Sequence, residues 1–497
     1  MDAPASHAYP TIPLRPITTD ADADQEQALF EVRRKIYPRA VHGVFARWRI
    51  AMVILTQLVF YGLPWLSWNG RQAVLFDLGA RKFHIFGLVL WPQDFIYLTA
   101  LLIISALSLF LFTAVAGRLW CGYACPQTVY TEMFMWIERK IEGDRTRRMQ
   151  LDKAPWTARK FALKGAKQAA WIAVAAFTGF TFVGYFTPIV TLAHEVATAT
   201  LGPWEGFWIV FYGAATYGNA GYMREQVCKY MCPYARFQSV MFDSDTLTVT
   251  YDMKRGEPRG SRSRKVDRRA AGLGDCVDCS ICVQVCPVGI DIREGLQYEC
   301  IGCAACIDSC DQVMDKMGYP RGLIRYTTEN ALLGKTPEAA TGFGKVTARL
   351  LRPRIVIYTM ILGSVATALA TSLYLRTPLK VNVLRDRATL VRDAGDGRIE
   401  NVYRLQITNA VERPRSYSIA ARGLDGLKGL EVVLESDGHG SPSTAADVDA
   451  ASTRMVPLRV RADPAGLPAG SHPITFVVTA TDDPAVSTSE KSIFFSR

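Results

Sequence analysis

Hydrophobic residues are concentrated in five long runs that alternate with segments rich in charge. The runs cover residues 50–68, 95–116, 169–190, 206–222 and 355–375. Because a helix needs about 20 predominantly apolar residues to cross a bilayer, the pattern predicts five transmembrane helices. The run at 206–222 is the weakest of them, since it is short and rich in glycine. Buried helices of a soluble core are the alternative, and five such runs in one chain disfavour it.

The sequence after residue 378 changes to an alternation of apolar and polar residues with period two. Seven segments follow this pattern, at 380–386, 399–409, 416–422, 430–436, 453–462, 474–481 and 491–497. Alternation of this kind, interrupted by Gly, Asp and Pro, is typical of strands with one buried face. Seven such strands predict an immunoglobulin-like sandwich. The segment has no cysteine and no motif of His, Asp and Glu, which favours a docking module over an enzyme.

Basic residues alternate along the chain in step with the apolar runs. Lys and Arg number six in residues 1–48, three in 69–93, ten in 117–166, none in 191–204 and twenty in 223–354. Since cytoplasmic loops accumulate Lys and Arg, the N-terminus is predicted to lie inside the cell and the C-terminal sandwich in the periplasm. This bias also explains the net charge of +11. No motif of a nucleic-acid-binding module accompanies the charge, so no nucleic-acid partner is expected.

All twelve cysteines lie between Cys121 and Cys310, and eight of them form two runs with the spacing C-x2-C-x2-C-x3-C. Thiolates are the ligands that iron–sulfur clusters require, and in two-cluster ferredoxins the fourth cysteine of each run binds the other cluster. The spacing predicts one 4Fe–4S cluster on Cys276, Cys279, Cys282 and Cys310, and a second on Cys286, Cys300, Cys303 and Cys306.

The segment resembles bacterial two-cluster ferredoxins and departs from them in one place. Asp311 follows the last cysteine, where these ferredoxins have a proline. Two zinc sites are an alternative, but they leave no role for the crossed fourth cysteine. Clusters with a purely structural role are a second alternative. On the predicted topology both clusters lie in the reducing cytoplasm, where they would serve as an electron relay. The basic linker at 254–269 before them is expected to attract anionic lipid, or alternatively to dock an acidic electron donor.

The other four cysteines form two C-x3-C-P motifs, Cys121 with Cys125 and Cys228 with Cys232. Positions i and i+4 share one face of a helix, so both thiols of a pair can point the same way. The proline after each motif is expected to break that helix. Both motifs follow a predicted span at its cytoplasmic end, where the four thiols can meet. Such a group suits Cu(I), a further cluster or reversible dithiol chemistry, and inert buried thiols are the alternative.

The order of these parts resembles the cytochrome c oxidase accessory family of membrane-bound polyferredoxins that includes FixG, RdxA and CcoG. The resemblance implies a cupric reductase, an oxidoreductase that would reduce Cu(II) to Cu(I) on the cytoplasmic side for assembly of a cbb-type oxidase. The four cysteines of the C-x3-C-P motifs would then take the catalytic role. Implied partners are copper ions, a copper chaperone or copper-export ATPase and oxidase assembly factors. The other expected partners are membrane lipid and an electron donor, which the sequence does not identify.

The predicted fold class is a multi-domain protein of the bacterial inner membrane. A five-helix transmembrane bundle carries an inserted ferredoxin-like α+β domain and a C-terminal all-β immunoglobulin-like sandwich. The predicted divisions are a cytoplasmic segment at 1–48, four spans with both C-x3-C-P motifs at 49–236, the ferredoxin-like domain with its basic linker at 237–354, a fifth span at 355–375 and the periplasmic sandwich at 376–497. Two other functions stay open: a quinol-linked relay for another respiratory enzyme, and a non-catalytic assembly scaffold. A homo-oligomer is also left open.

Overall fold

The computed structural model describes residues 35–267, 270–334, 351–386, 391–395, 397–423, 430–434, 444–464 and 467–496. Its helices are α1 (Val44–Gly62), α2 (Phe95–Ala116), α3 (Leu119–Tyr123), α4 (Pro126–Glu142), α5 (Arg145–Lys153), α6 (Ala158–Val183), α7 (Ile189–Ala197), α8 (Pro203–Thr216), α9 (Pro233–Val240), α10 (Met253–Gly256), α11 (Ile281–Val285), α12 (Ala305–Met317), α13 (Glu329–Leu332) and α14 (Pro353–Tyr374). Short strands β1 (Ser67–Trp68), β2 (Arg71–Gln72), β3 (Val74–Asp77), β4 (Lys82–Ile85) and β5 (Leu88–Leu90) connect α1 to α2.

Four helical segments among the described residues are long and apolar enough to cross a membrane. They are Val44–Trp65, Pro92–Ala116, Ala158–Val183 and Pro353–Tyr374. The predicted run at 206–222 does not form one regular helix. Helix α8 ends at Thr216, and a π-helical segment, Tyr217–Met223, continues the chain. The count of five spans therefore stays a prediction.

Helix α8 packs against α6 through two glycines. A Cβ atom on Gly179 would lie 2.2 Å from the backbone oxygen of Ile209, and one on Gly213 would lie 3.3 Å from that of Ala175. Small residues let membrane helices approach closely. The glycine content that weakens the apolar signal of this run thus serves the contact between the two helices.

The ferredoxin-like unit is built on two antiparallel strands, β6 (Thr248–Tyr251) and β7 (Ile324–Thr327). Helices α11 and α12 each begin within one of the two cysteine runs. The core between strands and helices contains Val249, Tyr251, Ile292, Ile307, Met314, Leu323 and Ile324. Burial of these apolar side chains holds both cysteine runs against the same pair of strands.

A single carboxylate fastens this unit to the first membrane helix. Asp308 of α12 accepts hydrogen bonds from the backbone N–H groups of Phe45 and Ala46, at 3.2 and 2.7 Å. These donors lie in the first turn of α1, where no intrahelical partner exists. Gly43 precedes them, and a Cβ atom there would lie 2.2 Å from the Cγ atom of Asp308. The carboxylate thus caps α1 from another domain, and glycine makes room for it.

The C-terminal part forms two packed antiparallel sheets. Their strands are β8 (Leu379–Arg385), β9 (Arg392–Asp393), β10 (Ile399–Asn409), β11 (Arg415–Gly423), β12 (Glu431–Leu434), β13 (Ala445–Val448), β14 (Ser452–Ala462), β15 (Gly470–Ala480) and β16 (Ser487–Ser496). One sheet has the order β12-β14-β10-β8 with β9 beside β10, and the other has the order β13-β11-β15-β16. All seven predicted segments contain strands, and the structure adds the short strands β9 and β13.

Two ion-pair groups join the sandwich region to the strands between α1 and α2. Glu412 accepts hydrogen bonds from Asn69 and Arg71. Buried Asp94 pairs with Arg376 at 2.7 Å and with Lys380. The sequence pattern predicted only a loop in this connection, because its five strands are too short to show a periodicity. The sandwich and this strand layer therefore lie together at the end of the helices opposite the ferredoxin-like unit.

Candidate functional site

The eight cysteines of the two runs line two separate cavities in the ferredoxin-like unit. The first cavity is lined by Cys276, Cys279, Cys282 and Cys310, together with Arg293 and apolar side chains. The second cavity is lined by Cys286, Cys300, Cys303 and Cys306, and Cys282 also reaches it. This is the division that the crossed spacing predicts, while ligation itself stays a prediction. Each cavity has an almost wholly apolar wall, which suits a cluster whose charge is carried by thiolate ligands.

The two cysteine loops repeat one unusual backbone conformation. Asp278 and Ser280 have φ values of 50° and 54°, and the equivalent Gly302 and Ala304 have 65° and 58°. Residues other than glycine rarely adopt positive φ, and such strain clusters at functional sites. Successive backbone N–H groups in turns of this kind form concave sites for anions. A 4Fe–4S cluster with four thiolates is such an anion, so the repeated loops fit this group on geometric grounds.

Asp311 changes the length of a helix. Pro287 follows Cys286, and α11 ends at Val285 after five residues. Asp311 follows Cys310 at the equivalent place, and α12 continues through it for 13 residues in all. Asp311 also accepts a hydrogen bond from the backbone N–H of Gly322 at 2.9 Å. The departure from the ferredoxin pattern thus gives α12 the length that carries the core residue Met314.

In both C-x3-C-P motifs the first cysteine is helical and the second is extended, which differs from the predicted arrangement. Cys121 lies in the short helix α3, and Cys228 lies in a π-helical segment, Val227–Met231. Cys125 and Cys232 are extended, with ψ angles of 128° and 108°, and each precedes a proline that starts a new helix. The predicted break at the proline is found. The prediction that both thiols share one helical face is wrong, because the proline forces the second cysteine out of the helical region.

The structure brings the two motifs together. We refer to Cys121, Cys125, Cys228 and Cys232 as the thiol site. All four are partly buried, and each lies within electrostatic range of the other three. The Cys121 thiol donates to the Gln238 side chain at 3.2 Å, which in turn donates to Thr113 of α2 at 3.2 Å.

Burial raises the pKa of three thiols of this site, those of Cys121, Cys125 and Cys228, and so favours their neutral form. It raises the pKa of the Cys228 thiol to about 12 and that of the Cys121 thiol to about 11. The thiolate is the nucleophile and the metal ligand, so a thiol with a raised pKa is inert on its own. A bound cation would have to displace the protons.

Among the described residues, no three His, Cys, Asp or Glu side chains converge closely enough to enclose a single metal ion.

The thiol site touches the wall of the second cavity through backbone atoms. A Cβ atom on Gly122 would lie 2.8 Å from the backbone oxygen of Ile301 and 2.9 Å from the N and Cα atoms of Cys303. From the other side, a Cβ atom on Gly302 would lie 3.2 Å from the backbone carbon of Arg118. Two glycines therefore allow direct van der Waals contact between α3 and the loop that carries Cys303.

Arg118 holds three segments together at this contact. Its buried guanidinium donates to the backbone oxygens of Tyr298, just before the second cysteine run, and of Ala235 in α9. Arg118, Gln238 and the two glycines were not predicted from the sequence. Only the proximity of Arg118 and Gly122 to Cys121 in the sequence could have drawn attention to them.

Three family models match the chain. One described as a 4Fe-4S dicluster domain matches residues 223–329, and one described as a 4Fe-4S binding domain matches residues 98–143. The second of these ranges contains Cys121 and Cys125. A third model, described as an IG-like fold at the C-terminal of FixG, matches residues 369–497. Together with the two cysteine-lined cavities, these matches define a membrane-associated iron–sulfur protein of the ferredoxin type.

Similar proteins extend over almost the whole chain. Protein RdxA of Cereibacter sphaeroides is 40% identical over 478 residues, covering 91% of this chain and 98% of RdxA. Nitrogen fixation protein FixG of Rhizobium meliloti is 38% identical over 458 residues, covering 87% of each chain. Protein RdxB of Cereibacter sphaeroides is 39% identical, covering 86% of this chain and 89% of RdxB. The chain belongs to the FixG/RdxA family, and it is an iron–sulfur electron-transfer protein. Its four apolar helices and this membership indicate the inner membrane.

Proposed function

We propose that the chain passes electrons through two 4Fe–4S clusters to the thiol site, where Cu(II) is reduced to Cu(I). The first cluster would be held by Cys276, Cys279, Cys282 and Cys310, and the second by Cys286, Cys300, Cys303 and Cys306. When bound, such clusters exchange one electron at a time. The observation that carries the proposal is the backbone contact at Gly122, which joins the thiol site to the loop bearing Cys303.

The chemistry of the thiol site favours the cuprous state. Soft thiolate ligands select Cu(I), so binding at this site stabilises the product of a one-electron reduction. Each Cu(II) ion gains one electron and leaves as Cu(I), and the external donor supplies that electron. The raised pKa values of Cys121 and Cys228 favour the protonated form of these two thiols until an ion arrives.

Contacts of the segments that precede and follow α8 support a fifth crossing. At one end of this stretch, in α7, the backbone N–H of Ile189 donates to Gln72 of the strand layer at 2.9 Å. At the other end, Cys228 packs against the core of the second cavity. We infer that α8 and the π-helical segment Tyr217–Met223 cross the membrane between these layers. The distribution of Lys and Arg then puts the thiol site and both cavities in the cytoplasm and the sandwich in the periplasm.

The cellular role follows from the family resemblance. Cu(I) formed at the cytoplasmic face would pass to a copper chaperone or a copper-export ATPase and so serve assembly of a cbb-type oxidase. The periplasmic sandwich would contact assembly factors of that oxidase. Its seven-strand pattern and its attachment through Glu412 and Asp94 are consistent with a fixed docking module.

The test compares purified wild type with the variant Cys228→Ser/Cys232→Ser in lipid nanodiscs. Iron content, dithionite-dependent bleaching and the rate of Cu(I) formation, trapped by a Cu(I)-specific chelator, are measured for each. We expect the variant to keep its iron and its bleaching but to lose Cu(I) formation. Unchanged Cu(I) formation would remove the thiol site from the function. Loss of iron would show that the thiol site holds a further cluster and not copper.

A further inference from the structure

The two cavities differ in their access to solvent. Of the twelve cysteines, only Cys279 is exposed, and it lines the first cavity. The second cavity is covered by α3 through the contact at Gly122, and its four cysteines are buried or half-buried. Electrons from a protein donor must therefore arrive at the first cavity, while the second lies next to the thiol site.

A basic segment, residues 252–267, lies against the ferredoxin-like unit beside the first cavity. It contains six basic and three acidic residues, so its net charge is positive. The backbone N–H of Gly260 donates to the backbone oxygen of Cys276 at 3.3 Å. The Arg262 side chain donates to the same oxygen at 3.1 Å, and its guanidinium stacks on Tyr319 at 5.4 Å. The segment is thus held directly against the loop that carries Cys279.

Further contacts fix the orientation of this segment. The Arg255 guanidinium pairs with buried Asp275 at 2.6 Å and donates to the backbone oxygen of Arg321 at 3.0 Å. These partners, like those of Arg262, belong to the ferredoxin-like unit and not to a membrane helix. Anchored in this way, the segment presents a set of exposed cationic side chains, which are Lys254, Arg259, Arg264 and Lys265.

Acidic residues near Cys279 form ion pairs with arginines. Arg293, which lines the first cavity, pairs with Asp278 at 2.5 Å and with Asp291 at 2.6 Å. Arg259 lies 3.8 Å from Glu257, and its positive charge helps to lower the pKa of Asp291. Arg293 offsets only one of its two carboxylates, so the surplus of positive charge lies on the basic segment, whose six basic residues outnumber its three acidic ones. Charge of one sign around a redox site steers partners of the opposite sign.

We propose that the cationic face formed by Lys254, Arg259, Arg264 and Lys265, on the basic segment held against the Cys279 loop, docks a small acidic protein that carries one electron. This inference rests on the proposed function, since it names the class of donor for the same relay. In the encounter the reduced carrier would lose one electron, and Cys276, Cys279, Cys282 and Cys310 would hold the iron–sulfur group that takes it up. No covalent bond is formed or broken.

The alternative occupant of the cationic face is an anionic membrane surface. The anchoring contacts of Arg255 and Arg262 argue against it, because they hold the segment at the first cavity. The membrane part meets the unit through other residues, α1 at Asp308 and the short helix α3, which follows α2, at the second cavity. A basic segment that served lipid binding would be expected beside those helices.

The experiment uses the full chain in nanodiscs and reduced flavodoxin as the acidic carrier. Binding and the rate of iron–sulfur bleaching are measured for wild type and for Arg259→Glu/Arg264→Glu/Lys265→Glu at low and high salt. We expect the triple variant to bind flavodoxin at least tenfold more weakly and to lose most of its salt dependence. The final extent of bleaching by dithionite should be unchanged, which shows that the metal centres are intact.

A matched control reverses three exposed basic residues on α5 and α6, in Arg147→Glu/Lys153→Glu/Arg159→Glu. We expect this control to bind flavodoxin within twofold of wild type. Equal weakening in both variants, or none in the first, would overturn the proposal. A response only to the anionic lipid content of the nanodisc would assign the face to the membrane instead. No step of this experiment uses copper, so its failure is distinct from a failure of cupric reduction.

Discussion

Gly122 is the residue whose missing side chain matters most for the relay. In Gly122→Ala, the added Cβ atom would meet three backbone atoms of Ile301 and Cys303 within 2.9 Å, and backbone cannot swing aside. We expect α3 to move away from this loop, and because electron transfer weakens steeply with distance, oxidation of the reduced iron–sulfur centres by Cu(II) should slow several-fold. Stopped-flow absorbance of pre-reduced protein mixed with Cu(II) measures this rate.

A control for this substitution is Gly165→Ala in α6, where the new Cβ atom meets nothing within 4 Å. The control should keep the wild-type rate, and both variants should keep the wild-type iron content. A wild-type rate in Gly122→Ala would mean that electrons leave the second cavity by another route.

At the residue scale, the sequence predicted the chemistry but not the contacts. Thiol spacing predicted which cysteines line each cavity, because a cluster requires cysteines at set intervals along a loop. The pairing of Gly122 with Cys303 could not be predicted, since the two residues are far apart in the sequence and glycine has no chemical signal of its own. The same holds for Arg118, whose hydrogen bonds go only to backbone oxygens.

Helix α12 depends on the absence of proline at position 311. In Asp311→Pro, the ring would clash with the preceding turn and remove one backbone donor, which costs about 3 kcal/mol inside a helix. The variant would also lose the acceptor for the Gly322 N–H. We expect a lower midpoint for the thermal loss of iron–sulfur absorbance.

Asp311→Asn is the matched control, because it keeps both the helix and an acceptor oxygen for Gly322. Its midpoint should stay close to that of wild type. If the proline variant were equally stable, α12 would not need its length to hold the core around Met314.

At the element scale, long and regular patterns were predicted well. The seven main strands of the sandwich alternate clearly, because one face of each is buried against the other sheet. Local backbone departures were not predicted: the π-helical segments Tyr217–Met223 and Val227–Met231 have no distinct composition. The extended conformation of Cys125 and Cys232 results from the proline that follows each of them. The helix break at these prolines was predicted, but its effect on the direction of the second thiol was not.

Across the whole molecule, Asp94 joins the strand layer to the chain that leaves α14. Asp94→Asn would leave Arg376, whose side chain is 10% exposed, without an anionic partner. Breaking a buried ion pair in this way costs about 3–5 kcal/mol, and solvent around Lys380 reduces that figure here. We expect faster hydrogen exchange in residues 376–385 while the core of the sandwich stays protected.

Arg398→Gln offers the comparison for an exposed pair. Arg398 and Glu431 lie within the sandwich, and their side chains are 47% and 51% exposed. Such pairs contribute about 0–1 kcal/mol, so hydrogen exchange in 376–385 should not change. Equal effects of the two substitutions would show that Asp94 does not fix the sandwich to the membrane part.

The cap that Asp308 provides has a consequence for how the protein matures. Asp308 lies between Cys306 and Cys310 on α12, and it holds the first turn of α1. Before a cluster binds, Cys306 and Cys310 would not tie α12 to the other cysteine run. Asp308 would then hold the first turn of α1 less firmly. Cluster binding and the start of the first membrane helix would therefore be coupled through Asp308.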